Sequence, residues 1–137
     1  MFSYRHAFHA GNHADVLKHM TLLAVLRHMT QKQTALTVFD THAGAGLYRL
    51  DGDYARTSGE AAEGFLRLLA APPPLLPTKA NQHPAADAAT SAPTALLLQD
   101  YLELVASFNS KNSQRVYPGS PFIIQRLLRE RDRLKLF

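Results

Sequence analysis

The run Asp40-Thr41-His42-Ala43-Gly44-Ala45-Gly46 follows directly on the apolar segment Ala35-Leu36-Thr37-Val38-Phe39. That segment is short, β-branched and aromatic, and turn residues bound it, which reads as a strand. The glycines let the backbone turn sharply and let a ligand approach with no Cβ in the way. An acidic residue at the carboxyl end of a strand, followed by a glycine turn, is where open α/β sheets bind nucleotide-like ligands. The chemistry indicated is adenosine-type cofactor binding, with Asp40, His42 and Gly44 as the first candidates. Asp40 also suits the Asx role of closing a turn after a strand. His42 has no comparable structural reason for its place and is the strongest single candidate.

Histidine is frequent early in the chain, at His6, His9, His13, His19 and His28. His9 and His13 have metal-like spacing with Asp15 close by, but the context offers no third fixed ligand, so no metal is expected. Taken alone, Lys18 reads as a solvated helix lysine, His19 as a hydrogen-bonded helix residue and Tyr4 as an anchored terminal aromatic. Ser120 reads as a helix N-cap; such a cap can also contact a ligand, because a helix start offers free N–H groups. The chain has no cysteine. That excludes disulfides, thiolate zinc sites and a cysteine nucleophile, and it fits a reducing cytoplasm.

These residues need elements to hold them. A helix is expected from Asn12–Asp15 to about Met29, with Val16, Met20, Leu23 and Arg27 along one face. After Gly46 the stretch 47–56 reads as irregular, and Thr57-Ser58-Gly59-Glu60 reads as a capping box opening a helix to about Ala70. Six of the eight prolines fall within 71–93, so this Pro/Ala-rich stretch reads as a flexible surface excursion. Helix resumes near Thr94 and runs to about Phe108. Ser120 and Pro121 open a last helix, ending near Arg133, and Leu134–Phe137 begins a second strand.

At 137 residues the chain is the size of one domain. Its apolar runs are too short to span a membrane, and the N-terminus has no signal-type apolar region. The net charge of +4 suits a polyanion partner. The basic residues between Arg115 and Lys135 read as a solvated face diluted by Glu130 and Asp132. The order helix, strand, helices, strand matches one βαβ-type parallel unit, which needs more strands and cover on both faces. The chain therefore reads as the front half of a larger domain.

Four blocks together resemble one family: Ser3-Tyr4-Arg5-His6, Phe8 through His19, Asp40 through Gly46, and Tyr117-Pro118-Gly119-Ser120-Pro121. It is the bacterial 23S rRNA adenine-N6 methyltransferase family, whose members are class I, Rossmann-like, S-adenosylmethionine-dependent enzymes. The resemblance runs the length of the chain and is weakest over 65–112. It implies an incomplete Rossmann-like α/β fold in one cofactor-binding domain over 1–137, with a helical insertion at about 50–112. It further implies that Lys18 and His19 face the cofactor, that Asp40, His42 and Gly44 form its loop, and that Ser120 is a further contact. Tyr4 would touch the target adenosine, in 23S rRNA that is protein-free or partly assembled, in the cytoplasm.

The family pattern also contains an acidic ribose-binding residue in a Glu-Leu-His-Pro segment and an Asp-Pro-Pro-Tyr motif that receives the adenine amino group. Neither is in this sequence. The adenine amino group is a poor nucleophile, and without a carboxylate and a backbone carbonyl to align it, transfer is not expected. No catalytic residue is therefore assigned here. The expectation is methyltransferase chemistry that needs a further C-terminal half. The alternatives are a non-catalytic cofactor- or RNA-binding remnant, and a truncated product with no stable fold.

Overall fold

Asn12 sets the first helix: its side chain accepts a 3.0 Å hydrogen bond from the Asp15 N–H, and α1 runs over His13–Met29. The computed structural model describes residues 5–70, 86–110, 113 and 115–137. Strand β1 (Thr37–Asp40) pairs in parallel with β4 (Arg133–Leu136), from Thr37 opposite Arg133 to Asp40 opposite Leu136. Between them lies β2 (Leu47–Arg49), antiparallel to β3 (Val116–Pro118). The helices α2 (Asp53–Ser58), α3 (Glu60–Glu63), α4 (Phe65–Ala70) and α5 (Ala86–Ala106) separate β2 from β3. Helix α6 (Ser120–Leu127) leads into β4.

The architecture is mixed α/β with two small sheets. The multi-stranded parallel sheet of a Rossmann-like domain is not among the described residues. One parallel pair forms among the described residues, and the Phe39 ring on it stacks at 6.5 Å with that of Phe137 just beyond it, both exposed. The core lies instead where the helices between β2 and β3 meet α1 and the β2/β3 pair. Leu23, Phe65, Tyr101, Val105 and Tyr117 are fully buried there. Phe65 packs edge-on to Tyr101, with ring centroids 6.2 Å apart. Each such side chain contributes about 1.5–3 kcal/mol by leaving water.

Several expectations need correction. The buried face of α1 carries Asp15, His19, Leu23 and Leu26, because the i, i+4 stripe facing the core includes two polar residues. The 47–56 stretch is not irregular; it holds β2 and the start of α2. Thr57 does not cap: it sits inside α2, and its hydroxyl donates to the Asp53 carbonyl. Gly59, at φ 69°, breaks the chain there, and the Glu60 carboxylate accepts from Asn12 instead. Helix α5 starts at Ala86 and contains Pro93; the alanine-rich text around it outweighs the proline. So 86–93 is helical, while 71–85 lies outside the described residues, as does Tyr4. Gly119, not Ser120, holds the N-cap position of α6, and this helix ends at Leu127 because Leu128 turns to extended backbone.

One glycine locks the start of α4 to the N-terminal segment. Phe65 donates its N–H to the Gly11 carbonyl at 2.7 Å. A Cβ on Gly64 would sit 2.8 Å from the Asn12 Cα and closer still to the Gly11 carbonyl oxygen. Both are backbone atoms and cannot step aside cheaply. Gly64→Ala is expected to destabilise the chain by about 2 kcal/mol through overpacking, measurable as a lower urea midpoint with an unchanged slope.

Candidate functional site

The loop after β1 is built around one carboxylate. Asp40 accepts from the His42 N–H at 3.1 Å through Oδ1, and from the Ser120 hydroxyl at 2.6 Å through Oδ2. The Phe137 N–H donates to the Asp40 carbonyl, and the Ala43 N–H donates to the Phe137 carbonyl. Asp40 thus joins the carboxyl ends of both parallel strands to the start of α6. Gly44 is required twice over. Its φ is 60°, and a Cβ there would lie 2.6 Å from the Tyr48 hydroxyl. That hydroxyl accepts the Ala45 N–H at 3.3 Å.

This loop forms one wall of an open cavity of about 940 Å³, within the usual range for small-molecule sites. The opposite wall comes from α1 and the N-terminal segment, with His6, Asp15 and Lys18. Asp15 is buried and accepts from His6 Nε2 at 2.9 Å and from the Gly11 N–H at 3.1 Å. Burial by itself would raise its carboxyl, but the His6 hydrogen bond and charge and the Gly11 N–H outweigh burial and hold it below the usual carboxylate range. The cavity therefore presents Asp15 and Asp40 together with Lys18 and Arg5, and a helix start at Ser120 whose N–H groups favour an anionic group. Such a lining fits a ligand that carries both an ammonium and a carboxylate.

Of the expected site residues, Lys18, Asp40, His42, Gly44 and Ser120 all line this cavity. The His42 side chain is exposed, and its Nδ1 lies 2.9 Å from the Thr41 hydroxyl. His19 is placed one layer behind the wall, buried. Its Nδ1 lies 3.1 Å from the Tyr117 hydroxyl, and Tyr117 lies 2.7 Å from the Tyr101 hydroxyl. Burial lowers the His19 imidazole to about 4, against a partial rise from the Asp15 charge. Burial likewise pushes both tyrosines well above their ordinary range.

Sequence reasoning missed Asp15, His6 and the mouth of the cavity. At that mouth Arg5 donates to the Tyr54 hydroxyl at 3.0 Å, and Tyr54 meets Phe8 edge-on. The Asp15 signal was available: four residues before His19 on one helix face, it points the same way. Of the C-terminal basic cluster, Arg115, Arg126, Arg131, Arg133 and Lys135 are exposed and Arg129 is half-buried. Arg129 grips Asp132 and the carbonyls of Thr30, Lys32 and Thr34, Arg126 lies over Phe108, and Arg115 reaches Asp51. Among the described residues no group of three or more His, Asp or Glu side chains is placed to hold a metal. No described helix is long and apolar enough to cross a membrane.

The family model described as "Ribosomal RNA large subunit methyltransferase D, RlmJ" matches residues 33–82 and 86–137. The chain belongs to this family. It is 40% identical over 136 residues to the ribosomal RNA large subunit methyltransferase J of Escherichia coli (strain K12), covering 99% of this chain and 41% of that protein. It is 36% identical over 137 residues to the protein of the same name from Haemophilus influenzae, covering 99% of this chain and 42% of that one. The chain thus spans about two fifths of the length of these methyltransferases. A crystal structure of a Legionella pneumophila protein superposes with a TM-score of 0.69 at 31% identity, covering 93% of this chain and 39% of that one.

Proposed function

We propose that this chain forms the methionine side of an S-adenosylmethionine site in an enzyme that methylates adenine N6 in 23S rRNA. The observation that carries this reading is the Asp40 carboxylate, which joins the β1 loop, Ser120 and the ends of both parallel strands around a cavity lined by both signs of charge. Lys18 and the α6 start would receive the cofactor carboxylate, and Asp15 or Asp40 its ammonium. The turn at Gly44 would let the backbone approach the bound cofactor, His42 would contact its methionine end, and His19 would support the wall behind Lys18. Tyr4 would reach the target adenosine. The cofactor supplies the electrophilic methyl group; the residues here bind and orient it.

A second reading, binding without transfer, is favoured for the isolated chain by one fact. The sequence contains no Asp-Pro-Pro-Tyr segment to align the adenine amino group. The expected result is saturable binding of S-adenosylhomocysteine by calorimetry, with no tritium transferred from S-adenosylmethionine to protein-free 23S rRNA. Transfer by the 137 residues alone would overturn the division of labour proposed here. Absence of any cofactor binding would overturn the assignment of the cavity.

A further inference from the structure

His19, Tyr101 and Tyr117 bring three polar atoms together inside the core. Tyr101 and Tyr117 are fully buried, and His19 is 6% exposed. The Tyr101 and Tyr117 hydroxyl oxygens are 2.7 Å apart, and His19 Nδ1 lies 3.1 Å from the Tyr117 hydroxyl and 3.5 Å from that of Tyr101. Among the described residues these atoms have no other side-chain partners. Buried hydroxyl protons need acceptors, since leaving one without a partner is costly.

The triangle contains two hydroxyl protons. If Nδ1 carries no proton, both are satisfied: Tyr101 donates to Tyr117, and Tyr117 donates to Nδ1. Exchanging the roles of the two tyrosines, with Tyr101 donating to Nδ1, also satisfies both. If Nδ1 is protonated, it donates to Tyr117, Tyr117 donates to Tyr101, and the Tyr101 proton has nowhere to go. The same holds for a doubly protonated ring. Burial of the imidazole works in the same direction, since it disfavours the cation.

We infer that Tyr101 and Tyr117 are positioning residues that hold His19 as the neutral Nε2–H tautomer, so that its Nδ1 lone pair is committed to the hydroxyl pair and does not serve as a base. The tautomer does not depend on the cofactor reading. The inference also gives α5 a part in holding this ring. Tyr101 lies on α5 and Tyr117 on β3, while His19 lies on α1 directly after the cavity residue Lys18 and one turn after Asp15.

The test is ¹⁵N NMR of the 137-residue chain carrying labelled histidine, with the His19 resonances assigned by their loss in His19→Gln. At neutral pH, Nδ1 should resonate as an unprotonated nitrogen and Nε2 as a protonated one. In the Tyr101→Phe, Tyr117→Phe double variant the two frequencies should converge, as the tautomers mix. A protonated Nδ1 in the unaltered chain would overturn the inference, and that measurement stands even if the double variant does not fold. An unchanged tautomer in a folded double variant would overturn the part given to the tyrosines. S-adenosylhomocysteine titrated into the same unaltered sample keeps the two readings separate. The expected tautomer without binding would count against the cofactor site alone.

Discussion

Acidification from pH 6.5 to 4 is expected to cost this chain on the order of 3 kcal/mol of folding stability, and His19 is the reason. In the unfolded chain its imidazole takes up a proton near the ordinary value of 6.5, whereas in the folded chain burial delays uptake to about 4. Between those values the unfolded state binds more protons, so stability falls as pH falls. The groups facing the ring do not cancel this. The Asp15 charge favours the cation but is outweighed by burial, and His6 and Lys18 oppose the cation. Tyr101 and Tyr117 stay neutral throughout this range, because burial raises both. Asp15 acts in a separate, lower window: its depressed carboxyl keeps its contribution until pH falls below the ordinary value of 3.8. Urea denaturation at half-unit pH intervals reads the effect directly. The dependence should flatten in His19→Gln, whose amide oxygen can still accept the Tyr117 hydroxyl. An equally steep dependence in that variant would place the buried proton elsewhere.

The sequence showed its local chemistry more clearly than its long-range contacts. The β1 strand and the loop after it were legible, because a β-branched run, an acid and two glycines are each local statements. So was the opening of α1 near Asn12. The buried face of α1 was legible only in part. Apolar spacing found Leu23 in the core and Val16 and Met20 packed against it, but not the buried Asp15 and His19. What compensates them comes from distant segments: His6 for Asp15, and Tyr101 and Tyr117 for His19. Glu60 failed for the same reason. It matched a local capping pattern, yet its carboxylate is taken by His9 and Asn12, far away in sequence. Ser120 was legible as a helix-start residue; that its hydroxyl reaches back across the fold to Asp40 was not. Asp40, His42, Gly44 and Ser120, legible from local pattern, line the cavity, whereas His6 and Asp15, which line it too, became visible only in three dimensions.

Asp40→Ala should weaken S-adenosylhomocysteine binding about 100-fold while changing the unfolding midpoint much less. The carboxylate accepts two hydrogen bonds, from the His42 N–H and the Ser120 hydroxyl. Bonds to a charged acceptor contribute about 1.5–3 kcal/mol each, and about 3 kcal/mol in total corresponds to 100-fold in affinity. The loss falls on binding more than on folding for a geometric reason. Thr41 and His42 are exposed, so in the variant the freed His42 N–H turns to water at little cost to the fold. The loop must then be ordered when ligand arrives, and affinity carries that entropy. The strand ends remain tied by the Phe137 N–H to the Asp40 carbonyl, which the substitution leaves in place. Asp40→Asn separates charge from shape. Its amide oxygen can accept the His42 N–H and its amide nitrogen can donate to the Ser120 oxygen, so only the charge is lost. A loss of about tenfold is expected there, as roughly half of the charged-bond contribution disappears. Calorimetric titration of both variants distinguishes the cases. If Asp40→Ala binds as tightly as the unaltered chain, the carboxylate only closes a turn, and the cofactor loop must be organised from the Gly44–Tyr48 side instead.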